Sequence, residues 1–325
     1  AFSREDVVAK LKAQYPQGAP GNLVRVSQFL LGLPSGWALG RDCSDGDQVR
    51  IRTDRYRLGP SGAPSLWIGS QGSWVLYTAP VFIPRSFEPH TASLYARGSG
   101  RLRLTALGEG SELSSQEYAL QPAQWQRVTI TFSPLLKGVM HQLRLEGEGS
   151  VWLDAFQVER GSQATDFAPA RPCQLALALP ESDASAARIQ FADEAPVILY
   201  AVRGAPSGSV LRLTQYDLYG GTTRLDVRNP GPQGRLMLKP PAAHPLGTFR
   251  VEAYVKDARG RIISPVDEVV FHRVRRPRYW NKPAPRSPFG VHTVSTTRHI
   301  VMAKAIGANW TRLHDAGREY TSWAF

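Results

Sequence analysis

Near the end of the chain, His292, Arg312 and His314 stand at the polar ends of two short apolar runs. Imidazole and guanidinium groups are hydrogen-bond donors, and an imidazole also takes up a proton near neutral pH. Phe289 to Thr293 forms the first run, and Asn309 to Asp315, which alternates large apolar with polar residues, forms the second. Between them, Arg298 to Ile306 carries apolar residues at helical spacing before the stop at Gly307. Strand, helix and strand at this separation make the βαβ unit of a parallel sheet. Parallel strands need neighbours at their edges and cover on both faces, so the unit calls for more strands than this sequence holds.

Elsewhere the chemistry is sparse. Cys43 and Cys173 are too few for a disulfide framework or a zinc site; one bridge or two separate buried thiols are both open. Between Cys173 and Arg275 no His, Asp, Glu or Cys cluster has ligand or triad spacing. The net charge of +12 comes from 39 basic against 27 acidic residues and favours anionic partners such as acidic polysaccharides, nucleic acid or cell-wall polymers. The basic residues are spread along strands (Arg50, Arg52, Arg55, Arg57; Arg101, Arg103), and the dense run Arg273 to Arg278 lies in no nucleic-acid motif, so nucleic acid is not an expected partner. No apolar stretch is long enough to span a membrane. The start, Ala1-Phe2-Ser3-Arg4, lacks the apolar core of a secretory signal, so a leader, if one existed, is expected to be absent from this chain.

A chain of 325 residues with 29 Gly and 25 Pro has room for two or three turn-rich domains. Phe2, Val7, Val8, Leu11 and Tyr15 recur at helical steps, predicting an N-terminal helix and linker over 1–21. From Asn22 to about Pro169 the period changes to two. Ser73 to Ala79, Thr91 to Arg97, Arg101 to Leu107, Gln126 to Phe132, His141 to Glu146 and Val151 to Glu159 each alternate, which predicts a jelly-roll sandwich over 22–169. A second set of strands, with a hairpin turn at Asp257-Ala258-Arg259-Gly260, predicts an Ig-like β-sandwich over 170–275 in the role of a spacer. The Pro- and Arg-rich stretch 276–288 reads as an extended connector in which Trp280 either anchors the linker or stacks on a sugar. The fold class is thus mainly β, ending in a first βαβ unit over 289–325.

Two resemblances sharpen this. "NLVRVSQFLLG…GW", "TASLYARGSGRLRL", "WQRVTITF" and "VWLDAFQVERGSQATDFAP" resemble, in order and spacing, the carbohydrate-binding modules of families 4, 9 and 22. The resemblance implies sugar binding by aromatic rings, whose faces stack on a pyranose, and the candidates are Trp37, Trp67, Trp74 and Tyr77, with Tyr56 and Tyr95 behind them. Trp67 and Trp74 lie in the Gly/Ser-rich "SLWIGSQGSW", where a loop would lift rings into solvent; Trp125 and Trp152 are expected in the core. It also implies a structural calcium held partly by Asp154, although Val26, Ser27, Gln28 and Leu30 stand where the family pattern has Asn, Gly, Asp and Glu.

"SPFGVHT", "AKAIGANWTRLHDAG" and "YTSWAF" resemble the first two strands of the (β/α)8 glycoside hydrolases, nearest to the β-xylosidase and α-L-iduronidase kind. The resemblance implies that His292, Arg312 and His314 contact sugar at the carboxyl ends of barrel strands. The two catalytic glutamates of that family follow strands four and seven, beyond this chain, so no catalytic residue is expected within it. The functional expectation is the non-catalytic modules and barrel start of an exported glycoside hydrolase acting on a polysaccharide. The barrel's remainder then belongs to the same or another polypeptide. The alternative is a surface or filament protein built from the same sandwiches.

Overall fold

The structure, a computed structural model, describes residues 21–313 apart from 25, 41–48, 84–86, 109–110, 135–138, 181–187, 241–242, 279, 281–289, 294–296 and 309. The expected N-terminal helix, Cys43, His314 and most of the Pro/Arg connector lie outside the described residues. The described chain is β-rich, with nineteen strands and one short helix.

The first sandwich contains β1 (Ala38–Leu39), β2 (Arg50–Leu58), β3 (Pro64–Tyr77), β4 (Val81–Ile83), β5 (His90–Gly98), β6 (Gly100–Gly108), β7 (Ser111–Leu120), β8 (Gln126–Phe132) and β9 (Val139–Arg160). The long strands β3 and β9 pair with each other and run through both layers, with a register shift between Gly69 and Ser73. In one layer β2, the first half of β3, the second half of β9, β5 and β8 lie side by side; in the other, the first half of β9 pairs with β4 and β6, and β6 with β7. Alternate residues of each strand meet in one core that includes Leu66, Ile68, Trp74, Leu94, Leu104, Val151 and Phe156, all at most 1% exposed. Trp74 fits because its cross-strand partner is a glycine: a Cβ on Gly147 would lie 2.4 Å from the indole. Buried Asn22 ties the entering chain to β9, donating from Nδ2 to Phe156 O (2.8 Å) and accepting at Oδ1 from the Val24 and Val158 N–H groups (3.0 Å each).

The second sandwich contains β10 (Gln174–Ala178), β11 (Ile189–Phe191), β12 (Val197–Arg203), β13 (Val210–Asp217), β14 (Thr222–Arg228), β15 (Gln233–Met237), β16 (Gly247–Lys256) and β17 (Asp267–Val274). A three-stranded sheet, β10-β12-β15, packs on a five-stranded one, β11-β17-β16-β13-β14, in which β11 and β17 run parallel. Leu175, Ile198, Leu211, Phe249, Val251 and Phe271 fill the space between them, and Phe249 and Phe271 stack at 5.5 Å. The Asp257 turn is held by its own carboxylate, which accepts from the N–H groups of Arg259 and Arg261 (2.9 Å each). Leu30 and Ala63 of the first sandwich pack against Ala176 and Ala201 of the second.

At the end, β18 (Gly290–Thr293) and β19 (Trp310–Leu313) form a two-stranded parallel sheet joined through α1 (Thr297–Ala305). The expected βαβ unit is therefore present, and among the described residues no third strand joins it. Helix α1 buries Ala305, with Val301 and Met302 beside it, against Ile189, Phe191 and Trp280. Trp280 is 8% exposed and meets Phe191 edge-on at 4.8 Å, so its ring is wedged between sandwich and helix and has no face free for a sugar.

Candidate functional site

The aromatic residues divide sharply by environment. Trp37 (5% exposed) sits edge-on between Phe29 and Phe156 at 5.5 and 5.2 Å, and Trp74 (0%) is central to the first core. Neither ring has a face to offer a solute, so the expected set narrows to Trp67 and Tyr77, both half-buried. Tyr56 stands free in solvent, while Tyr95 is half-buried and lines a cavity between the two sandwiches.

Trp152 corrects the expectation of a core position. Val151 and Leu153 point into the core, yet so do Phe156 and Val158, so the inward parity changes in between. The cause is a β-bulge. Ser93 pairs with Gln157 but Tyr95 pairs with Asp154, leaving one extra residue on β9, and Ala155 takes φ 55°. One inserted residue exchanges the faces of a strand, so Trp152 lies on the outer face although it stands at even spacing from Phe156.

On that outer face Trp152 lies directly opposite Trp67, with Arg52 beyond Trp67 and Arg97 beyond Trp152. The row across β2, β3, β9 and β5 therefore reads Arg52, Trp67, Trp152, Arg97. Trp67 leans along its strand across Gly69, where a Cβ would fall 2.3 Å from the ring. The Arg52 guanidinium lies 4.5 Å from the Trp67 ring and that of Arg57 4.4 Å from Trp152. Arg97 reaches both Trp152 and half-buried Trp125, at 5.7 and 5.8 Å. Trp152 Nε1 donates to Asp54 Oδ2 (2.9 Å), which fixes the indole plane. Burial pulls the Asp54 carboxyl upward, but this bond, those from the Tyr56 and Arg57 N–H groups and the Arg57 charge outweigh it and hold the group below its ordinary range.

Past the bulge, the same outer face is covered. The Thr165 N–H donates to Glu159 Oε1 (2.9 Å) and that of Ala168 to Gln157 Oε1 (2.9 Å), laying the exit segment over the lower strands. Among the described residues, the exit segment does not extend over the part of the face that bears the two indoles, both of which are partly exposed.

Asp154 sits at the bulge, 0% exposed, with Oδ2 accepting from the Ser61 N–H (2.8 Å) and Oδ1 from Ser61 Oγ (2.9 Å). Both oxygens are thus engaged by one serine, and among the described residues no three His, Cys, Asp or Glu side chains converge. This donor set falls short of the six to eight or so oxygens that calcium takes. The adjoining cavity of about 510 Å3 is lined by Gln28, Ser61, Tyr95, Phe167, Gln174 and Arg203. Burial pushes the Asp154 carboxyl up to about 6, against the hydrogen bonds from Ser61 and Ala155 and the charge of Arg203. The folded protein therefore holds this proton more tightly than the unfolded chain does. Its contribution to stability is complete below about pH 4 and is lost as pH rises through about 6, on the order of 3 kcal/mol in all. Urea titrations from pH 4 to 7 are expected to show that component in the parent protein and not in Asp154→Asn; equal slopes in both would refute the assignment.

In the parallel pair, His292 and Arg312 are register partners on neighbouring strands, so their backbones are adjacent. Cys173 is a free, buried thiol, pushed by burial up to about 11.

No protein-family model matches the chain, and no curated protein matches it. Among solved structures, a family 61 carbohydrate-binding module in complex with β-1,4-galactotriose is 17% identical, with TM-score 0.35, covering 43% of this chain and 99% of the module. A family 22 xylan-binding domain from Paenibacillus barcinonensis is 18% identical, with TM-score 0.35, covering 45% and 98%. A cyclase from Fischerella sp. TAU is 14% identical, with TM-score 0.36, covering 45% and 100%. A sandwich of this kind names no function by itself, which must be argued from the site.

Proposed function

We propose that the first sandwich binds polysaccharide on its outer face, through Trp67 and Trp152, and that the second, of Ig-like kind, spaces it from a catalytic barrel of the glycoside hydrolase type. The observation that carries the reading is the pairing of two half-buried indoles in register on adjacent strands, on the part of the face that the exit segment leaves uncovered. Saccharide recognition asks for a flat apolar floor bordered by donors that bond hydroxyls. Here the indoles supply the floor, and Arg97, beside both Trp152 and Trp125, supplies a bordering donor.

The enzymatic half of the proposal is supported by the parallel β18–β19 pair, which no third described strand joins, and by the side-by-side positions of His292 and Arg312. In this reading the protein is exported, and turnover belongs to the polypeptide that completes the barrel. There, Arg312→Ala is expected to depress sugar release; unchanged turnover would remove Arg312 from the site.

Binding itself is tested on the chain as it stands. Affinity gels carrying a panel of plant and microbial polysaccharides are expected to retain it on at least one polymer, with release by soluble fragments of that polymer. Free migration through every gel would overturn the reading.

A further inference from the structure

The arginines of the two sandwiches are not alike. On the other outer face of the first sandwich, Arg101 pairs with Glu117 (3.3 Å), Arg103 with Glu112 (3.5 Å) and Arg144 with Glu146 (3.4 Å). In the second, Arg212 pairs with Asp226, Arg250 with Glu252 and Arg276 with Asp193, at 2.6 to 2.8 Å. Arg50, Arg52, Arg55 and Arg57, all exposed on β2, have no ion pair with a described carboxylate. Asp54, on the same strand and close enough to Arg57 to feel its charge, is engaged by Trp152 Nε1 and by the N–H groups of Tyr56 (3.0 Å) and Arg57 (3.2 Å).

Two of these four are also oriented. A guanidinium stacked on an indole keeps its N–H groups in its own plane, clear of the ring, where a carboxylate or sulfate is met edge-on by two parallel hydrogen bonds. The Arg52 and Arg57 guanidinium carbons lie over Trp67 and Trp152, 4.5 and 4.4 Å from the ring centres. Arg97 closes the far side, with its Nε buried and without a partner among the described residues. Arg52 and Arg97 stand three strand spacings apart, roughly 14 Å, a span that suits an oligomer better than a single sugar.

We infer that this face selects polysaccharides bearing anionic groups, uronate carboxylates or sulfate esters, over neutral ones, with Arg52 and Arg57 as the discriminating residues. The inference rests on the proposed saccharide role of the Trp67–Trp152 face. The anionic oxygens take the N–H donors of the two guanidiniums, while the sugar rings rest on what those guanidiniums leave open of the Trp67–Trp152 strip. Neutral polymers meet the same strip but leave those donors to water.

The test is calorimetric titration of the full chain with polygalacturonate, dextran sulfate and a neutral galactan, at low and at raised salt. The anionic polymers are expected to bind about tenfold or more tighter than the galactan, with an advantage that shrinks as salt rises. The double substitution Arg52→Gln/Arg57→Gln is expected to erase that advantage and leave galactan binding in place. Arg101→Gln/Arg103→Gln removes the same charge from the ion-paired face and is expected to change affinity by less than about twofold. Whichever anionic polymer retains the larger share of its advantage at raised salt identifies the group recognised. If the second pair costs as much as the first, bulk charge is responsible and the inference fails. If the galactan binds as well as the anionic polymers, selectivity fails while the saccharide role survives. If no polymer binds, it is the saccharide role that fails.

Discussion

Replacing Trp67 and Trp152 together by alanine is expected to lower affinity for the recognised polysaccharide by about a thousandfold, because two truncated aromatic anchors at about 2 kcal/mol each sum to roughly 4 kcal/mol. The fold should tolerate it. Both rings are half-buried on an outer face, and the core residues beside them, Leu66, Ile68, Val151 and Leu153, are untouched. The thermal midpoint is therefore expected to move only slightly, although loss of the Trp152 bond to Asp54 costs about 1 kcal/mol. Each single substitution should account for about half of the binding effect, unless the ligand bridges the two rings and makes them interdependent. Titration calorimetry on the three variants, alongside urea unfolding, separates the two effects. A double variant that binds like the parent would exclude this face.

The reverse pattern is expected for Trp74. Its indole is fully buried against Gly147, so Trp74→Ala leaves a large void and should cost about 3 to 5 kcal/mol of unfolding free energy. Its Nε1 is buried without a partner among the described residues, and a group left in that state costs about 1 to 3 kcal/mol. Trp74→Phe removes the unpaired N–H and keeps most of the ring, so it should retain most of the stability. Urea denaturation of the two variants provides the comparison. An alanine variant within about 1 kcal/mol of the parent would mean that the ring is not a core element. Saccharide affinity, measured on the folded fraction, should not follow these changes.

Strands that are buried on one side could be read directly. Thr91 to Arg97, Arg101 to Leu107 and Gln126 to Phe132 correspond to β5, β6 and β8, because one face of each packs into the core and their sequences alternate. Among the strands that escaped the sequence reading are two polar ones. β2 and β7 lie at edges of their layers and carry charged or hydroxylic residues outward, so little apolar alternation marks them. β9 was expected as two strands parted at Gly147 to Gly149. Gly147 instead continues the strand, and its missing side chain makes room for Trp74.

The site was harder to read than the fold. "SLWIGSQGSW" looked like a loop that lifts both of its tryptophans, but it is part of the single strand β3, on which Trp67 faces outward and Trp74 inward. Three residues pointed to Trp67 as the outward one, since Leu66, Ile68 and Leu76 are the apolar positions that set the inward face. Trp152 could not be recovered from spacing, because the bulge at Asp154 and Ala155 has no distinct sequence mark and inverts the pattern on which the spacing argument depends.

The most direct measurement is to follow the indole N–H resonances of the chain during titration with fragments of the polysaccharide it retains, each resonance assigned by single substitution. The account predicts that the signals of Trp67 and Trp152 shift and saturate together, the second through its bond to Asp54, while those of Trp37 and Trp74 stay in place. Saturable binding that leaves both outward indoles unmoved would contradict it.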